Sequence, residues 1–323
     1  MKKIRWGIIG CGNVTEVKSG PAFQKTEGSE LVAVMRRNGD LARDYAQRHK
    51  VPKWYDDASE LINDPDVDAV YIATPPSSHK KYTLQAAAAG KPVYVEKPMA
   101  LNAEECREMV EACKTANVPL FVAYYRRALP RFLKIKEWID SGVIGKVRFV
   151  NISFYQPQSD KDVKADSSNW RVQPEIAGGG YFVDLASHML DFLDYVLCPV
   201  KEAQGFPGRQ TQIYPAEDIV SGSFLFKSGV QVSGTWCFSA YQHQDLTEIV
   251  GDKGKISYAT FDESPLVLST KKGTEKVTIK NPQHIQQPLI QLVVNDLFGK
   301  SKCPSSGESG LRTNWVMDEM LRR

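Results

Sequence analysis

Up to about Phe121, short apolar runs alternate with segments whose apolar positions recur at helical spacing. IRWGIIG, ELVAVM, DAVYIA, KPVYVE and VPLFVA read as strands. Between them lie DLARDYAQRH, SHKKYTLQAAAAG and NAEECREMVEACKTAN, which are rich in helix formers and end near glycine or asparagine. This alternation predicts βαβ units and a parallel sheet covered on both faces. Beyond Phe121 the period changes. A helix (PRFLKIKEWIDSG) leads into KVRFVNISFY, which alternates as a half-buried strand, and then into a loop rich in Asp, Ser and Lys. A very apolar helix is predicted over 180–197. DIVSGSFLF, KSGVQVSGTWCF, LTEIVGDKGKISYA and PLVLST then read as strands of an antiparallel sheet with one wet face. Helices near 284–299 and 308–321 close the chain.

The fold class is therefore α/β followed by α+β, with domains expected over 1–123 and 124–323. A chain of 323 residues exceeds what one core usually covers, which agrees with two domains. With 42% hydrophobic and 24% charged residues there is ample apolar material for both. Net charge is only +3 without a block of like charges, so neither nucleic acid nor a membrane surface is an expected partner. The six cysteines are scattered, with no CxxC pair and no Cys/His cluster at zinc spacing. That argues for a reducing compartment and against a metal site. The apolar run in MKKIRWGIIGCG is too short and too broken by glycine for a signal peptide, and no stretch approaches membrane-spanning length. A cytoplasmic protein is expected.

Candidate chemistry clusters at the predicted strand ends. GIIGCGNVT gives Gly10-x-Gly12-x-x-Thr15, close to the dinucleotide fingerprint, with Thr15 in the place of the third glycine. Gly10 would make the tight turn, and Gly12 would let the backbone approach a pyrophosphate. Asn13 and Val14 open the following helix, whose free N–H groups would face that anion. A plain glycine turn would look the same out of context; here the motif follows the first strand and heads a βαβ series. After the second strand, where NAD sites carry an acid for the ribose, stand Arg36, Arg37 and Asn38. Two forked guanidiniums suit a 2′-phosphate, so NADP is favoured, with NAD possible. In ATPPSSH, Thr74 and Pro75 would lie along the cofactor, Ser77 or Ser78 would cap the next helix, and His79 reads as a helix start or cofactor neighbour. VYVEKP ends a core strand in Glu96, Lys97 and Pro98. Lysine is costly to bury, so Lys97 at this exit is expected to face a cleft where its proton is used. In GGGYFVDLASHMLDFLDYVL, Asp184, His188 and Asp191 lie four and three apart on an otherwise apolar helix, a stripe suited to a polar cleft.

Together GIIGCGNV, EKP, VAYYRRALP, GGG-x3-Asp-x3-His and the tail GESGLRT resemble the Gfo/Idh/MocA family of oxidoreductases over nearly the whole chain. The resemblance implies an N-terminal Rossmann dinucleotide-binding domain, and a C-terminal α+β domain with a large, mostly antiparallel open sheet. It further implies a nicotinamide cofactor and a Lys97–Pro98 bond that is often cis. Lys97, Asp184 and His188 match the family's catalytic positions. Glu96 with Lys97 would border the cofactor; Tyr124, Arg127, Trp170 and Arg171, with Asp184 and His188, would border the substrate. The expected activity is hydride transfer between NADP and a carbonyl/alcohol of a sugar, polyol or similar cyclic hydroxylated compound. A non-catalytic nucleotide sensor, or a reductase of a non-sugar substrate, are the alternatives. A homodimer or homotetramer formed through the second sheet is expected.

Overall fold

The computed structural model describes residues 3–159, 162 and 169–323. Part of the Asp/Ser/Lys-rich loop, 160–161 and 163–168, lies outside the described residues. By contacts the chain forms two compact units, Met1–Leu129 with Pro282–Leu311, and Pro130–Asn281 with Arg312–Arg323. The sequence boundary at 123/124 has no counterpart for the return of 282–311. That return is long-range, and no local pattern announces it.

The first unit holds six parallel strands: β1 Ile4–Ile9, β2 Ser29–Met35, β3 Lys53–Tyr55, β4 Ala69–Ile72, β5 Val93–Val95 and β6 Leu120–Val122. Their order is β3-β2-β1-β4-β5-β6. This is the doubly wound Rossmann order, and it reverses direction between β1 and β4, where such sheets bind ligands. Val70, Tyr71, Ile72 and Val93–Val95 are fully buried, as expected of strands covered on both faces. β3 escaped the sequence reading because it is a three-residue edge strand with only half-buried or exposed side chains. The helix expected after the glycine loop is two short pieces, α1 Asn13–Val17 and α2 Gly20–Lys25. Pro21 near the start of α2 has no N–H to continue α1. The returning helix Gln287–Leu297 buries Leu289, Ile290, Val293 and Val294, and packs on α2.

The second unit holds eight strands: β7 Val147–Tyr155, β8 Val200–Gly208, β9 Ile219–Phe226, β10 Gln231–Cys237, β11 Gln244–Gly251, β12 Gly254–Tyr258, β13 Leu266–Thr270 and β14 Gly273–Val277. Their order is β14-β13-β12-β11-β7-β10-β9-β8. All pairs are antiparallel except β7 with β10. One face is covered: Trp236 donates to the Met189 sulfur at 3.2 Å, and Phe192 and Phe132 meet Tyr258 edge-on. β8 and β14 were not foreseen. Both are edge strands, one carrying Pro207 and two glycines, the other nearly all polar. The helix foreseen over 180–197 is a π-helical segment, Phe182–Ala186, running into the α-helix Ser187–Leu197.

Candidate active site

Gly10 sits at the exit of β1 with φ +92. A Cβ there would lie 2.7 Å from the Thr74 methyl and 2.9 Å from the Thr74 nitrogen, so only glycine lets this loop rest against the loop after β4. The Gly10 and Cys11 N–H groups donate to the Met35 carbonyl at 2.9 and 3.2 Å, tying the same loop to the end of β2. A Cβ on Gly12 would meet nothing nearer than the Gly10 carbonyl at 3.9 Å. The backbone there is open on the side from which a pyrophosphate would approach, and the residues fit a dinucleotide. Thr15 does not serve that approach. It is fully buried, its hydroxyl donates to the Gly12 carbonyl at 2.8 Å, and its own carbonyl accepts from Tyr45 at 2.8 Å. The close-packing position is Gly20, where a Cβ would collide with the Thr15 carbonyl and the Tyr45 hydroxyl. Burial pushes the Cys11 thiol up to about 11, so it stays an inert thiol inside the loop.

Arg36 and Arg37 leave β2 exposed beside this loop. Asn38 starts a helix: its side-chain oxygen accepts from the Leu41 N–H at 3.2 Å and caps α3 Gly39–His49. Thr74 and Pro75 are half-buried after β4. Ser78 does not cap the helix that follows, His79–Ala88, because its hydroxyl turns back to the Pro75 carbonyl at 3.1 Å. His79 is fully buried. Its ring bridges the Thr74 carbonyl (2.7 Å) to the Pro98 and Met99 carbonyls (3.1 and 3.2 Å), joining the loops after β4 and β5. Burial lowers its pKa against the pull of those carbonyls.

The Lys97–Pro98 bond is cis, as the resemblance implied. Lys97 is half-buried at the exit of β5. Glu96 turns inward instead: its carboxylate accepts from the Tyr71 hydroxyl (2.5 Å), the Gln286 amide (2.6 Å) and the Lys97 N–H (3.2 Å). Tyr124 is fully buried within the first unit's core, and Arg127, also buried, donates to the Pro304 carbonyl at 2.8 Å. Both side chains thus have structural surroundings in this unit. Gln286 was not foreseen. Its only local signal is the polar run NPQHIQQP ahead of an apolar helix.

In the second unit the glycines of GGGYFVD have a physical cause. The Gly180 N–H donates to the Glu217 carboxylate at 2.8 Å, and a Cβ on Gly180 would lie 2.8 Å from both the Ala216 methyl and the Glu217 carbonyl. Burial raises the Glu217 pKa. Asp184 lies in the π-helical segment, so its spacing to His188 is not that of a regular α-turn. Such segments often mark functional sites. The Arg171 guanidinium is 3.4 Å from the Asp184 carboxylate and stacks 4.5 Å above the Trp170 ring. Trp170, Arg171 and Asp184 are thereby one group. Asn169 anchors their segment through Asp162 and the Tyr181 hydroxyl, at 2.8 and 2.9 Å. His188 is buried beside Phe261. Asp191 is fully buried and accepts from Thr313 at 3.5 Å, so the stripe goes deep rather than facing solvent along its length.

Gly10–Gly12, Arg36–Arg37, Thr74–Pro75 and Lys97 all leave the carboxyl ends of parallel strands around the reversal in strand order, as in nucleotide-dependent dehydrogenases. The family model "Oxidoreductase family, NAD-binding Rossmann fold" matches residues 4–124, and "GFO/IDH/MocA C-terminal domain" matches residues 132–257. The chain is 46% identical over 316 residues to Oxidoreductase P35 of Formosa agariphila, covering 98% of both chains. It is 27% identical over 321 residues to the 1,5-anhydro-D-fructose reductase of Ensifer adhaerens, covering 95% of this chain and 92% of that protein. The aldose-aldose oxidoreductase of Caulobacter crescentus, solved with glycerol, shares its fold with a TM-score of 0.87 at 23% identity, over 99% and 97% of the two chains. The protein is an NAD(P)-dependent enzyme of the dehydrogenase/reductase type. It belongs to the Gfo/Idh/MocA family.

Proposed function

We propose that this enzyme moves a hydride between NADP and a carbonyl/alcohol carbon of a sugar, polyol or similar cyclic hydroxylated compound. The cofactor preference rests on one observation: two exposed arginines stand directly after β2 beside the glycine loop, where NAD sites carry an acid. The substrate class rests on relatives such as the anhydrofructose reductase. A bound nicotinamide supplies the hydride chemistry, and the protein supplies position and proton transfer. Gly10, Gly12, Asn13 and Val14 would border the pyrophosphate, Arg36 and Arg37 the 2′-phosphate, and Thr74, Pro75 and the Glu96–Lys97 backbone the nicotinamide half. In the reducing direction the Lys97 Nζ would give a proton to the substrate oxygen, and His188 is the rival proton donor. In the oxidising direction the proton returns to Nζ. The Trp170–Arg171–Asp184 group would hold further substrate oxygens, the indole offering an apolar face and Arg171 and Asp184 a donor and an acceptor.

The test is turnover on inositols, aldoses, anhydro sugars and diols with each cofactor, repeated with two variants. Lys97→Met is expected to cut kcat by about 10²-fold or more while cofactor binding survives. His188→Asn is expected mainly to raise KM. Near-normal turnover of Lys97→Met, with the collapse in His188→Asn, would reverse the two roles.

A further inference from the structure

Glu96 poses a physical problem that the chemistry of Lys97 does not solve. Its carboxylate is buried, and among the described residues its hydrogen bonds come from neutral donors, the Tyr71 hydroxyl, the Gln286 amide and the Lys97 N–H. Burying a charge without such donors costs several kcal/mol. The donor set is built from distant parts of the chain. Tyr71 comes from β4 and shares its hydroxyl between Glu96 and the Ser19 hydroxyl (3.2 Å). Gln286 stands 190 residues further along. It is fully buried at the start of the returning helix, and its N–H donates to the Lys18 carbonyl at 3.2 Å. Its side-chain oxygen accepts from Tyr94 at 3.0 Å. Burial and the nearby Glu96 carboxylate raise both tyrosine hydroxyls well above the ordinary phenol range, so both remain donors. With Tyr94 donating to the oxygen, the amide nitrogen of Gln286 can only face Glu96; a flipped amide would set oxygen against carboxylate.

The consequence reaches Lys97. Its N–H is held by the other Glu96 oxygen at 3.2 Å, and the next two carbonyls, of Pro98 and Met99, lie 3.1 and 3.2 Å from the His79 Nδ1. The Lys97 N–H is thus held by a carboxylate whose own partners include an amide brought back by the chain's return. We propose that Gln286 is a positioning residue, which orients the Glu96 carboxylate and, through the Glu96–Lys97 backbone hydrogen bond, fixes where the Lys97 side chain starts. The inference rests on the reading of Lys97 as the proton-transfer group for its effect on turnover, but not for its effect on Lys97 itself.

The experiment uses the full chain. Gln286→Met keeps the volume and removes the amide. Three quantities are read: kcat on the fastest substrate found, NADPH affinity by cofactor fluorescence, and the NMR signal of 13C-methylated Lys97, assigned by its loss in Lys97→Met. The expected result is a fall in kcat of about 10²-fold, the scale of a displaced catalytic group, with NADPH affinity kept and the Lys97 signal moved. Gln286→Glu puts a second carboxyl against Glu96. Its kcat should recover as pH falls and the two carboxyls share a proton that restores a donor. An unmoved Lys97 signal, or a Gln286→Glu pH profile parallel to that of the unchanged protein, overturns the proposal. A moved signal with native turnover in Lys97→Met keeps the positioning role and defeats the proton-transfer reading instead. If Gln286→Met fails to fold, the acid recovery of Gln286→Glu decides.

Discussion

At the scale of single residues, the two glycines of the fingerprint have different jobs, and substitution should separate them. Gly10 is held at φ +92 with backbone atoms 2.9 and 3.0 Å from where a Cβ would be. Gly10→Ala should therefore destabilise the fold itself, by about 1–3 kcal/mol, and lower Tm with or without cofactor. Gly12 has an extended backbone and empty space where a Cβ would stand. Gly12→Ala should leave Tm unchanged and weaken NADPH by about tenfold, or about 1.4 kcal/mol, because the methyl occupies the pyrophosphate's approach. Loss of Tm in Gly12→Ala would contradict this division. Arg36 and Arg37 make a third case. Replacing both with Ala should cost NADPH about 1.5–3 kcal/mol and leave NADH nearly unchanged, as read by titrating each cofactor. Equal affinity of the unmodified protein for the two cofactors would defeat the NADP preference.

At the scale of elements, α1 owes its place to charge as well as packing. Glu16 on α1 meets Arg48 (2.9 Å) and His49 (2.8 Å) at the end of α3, and the Arg48 hydrogen bonds, then His49, lower its pKa to about 2 against the opposing effect of burial. A carboxylate depressed in the folded state stabilises above its unfolded pKa near 4.5, and that contribution fades as pH falls toward 2. Glu16→Gln should thus lower Tm at pH 7, and the two melting curves should converge on acidification; a difference independent of pH would refute it. The effect is modest, since the pair is partly exposed and screened. How far such elements can be read beforehand depends on burial. The central strands β1, β2, β4, β5, β9 and β10 were legible because covered strands need apolar or alternating residues. The edge strands β3, β8 and β14 were not, because their side chains are mostly half-buried or exposed and carry little apolar surface, whereas the edge strand β6 is buried and was legible. The same limit applied to the site. Gly10, Arg36, Lys97 and Asp184 belong to local patterns. Gln286 and Glu217 act through contacts that no local pattern encodes, and the π-helical segment around Asp184 looks like any apolar helix in sequence.

At the scale of the whole molecule, the second sheet's register sorts its side chains sharply. One row across the strands reads Ile256, Ile249, Val150, Val232 and Phe224, all buried against the unit's own helices. The next row reads Lys255, Val250, Phe149, Gln231 and Leu225 on the open face, and the row on the other side reads Ser257, Glu248, Asn151, Ser233 and Ser223. Most of the apolar residues in FLF, VQVSGTW and EIVG, on which the expected assembly rested, therefore serve the unit's own core. What this row leaves on the open face is Phe149, 41% exposed, with Val250 beside it and Leu225 beyond Gln231; towards the β8 edge the same face carries Phe206, 59% exposed. A self-complementary contact of this kind would be mixed rather than oily, with polar side chains around a small apolar centre. We predict a homodimer or a larger homo-oligomer through this face, marginal enough for one residue to decide it. Light scattering at micromolar concentration should give at least twice the chain mass, and Phe149→Glu should return the protein to the monomer without changing Tm in dilute solution, since a charge there disturbs no buried contact of the unit's core. A monomeric mass for the unmodified protein would defeat the prediction. An oligomer indifferent to Phe149→Glu would place the contact elsewhere on the molecule.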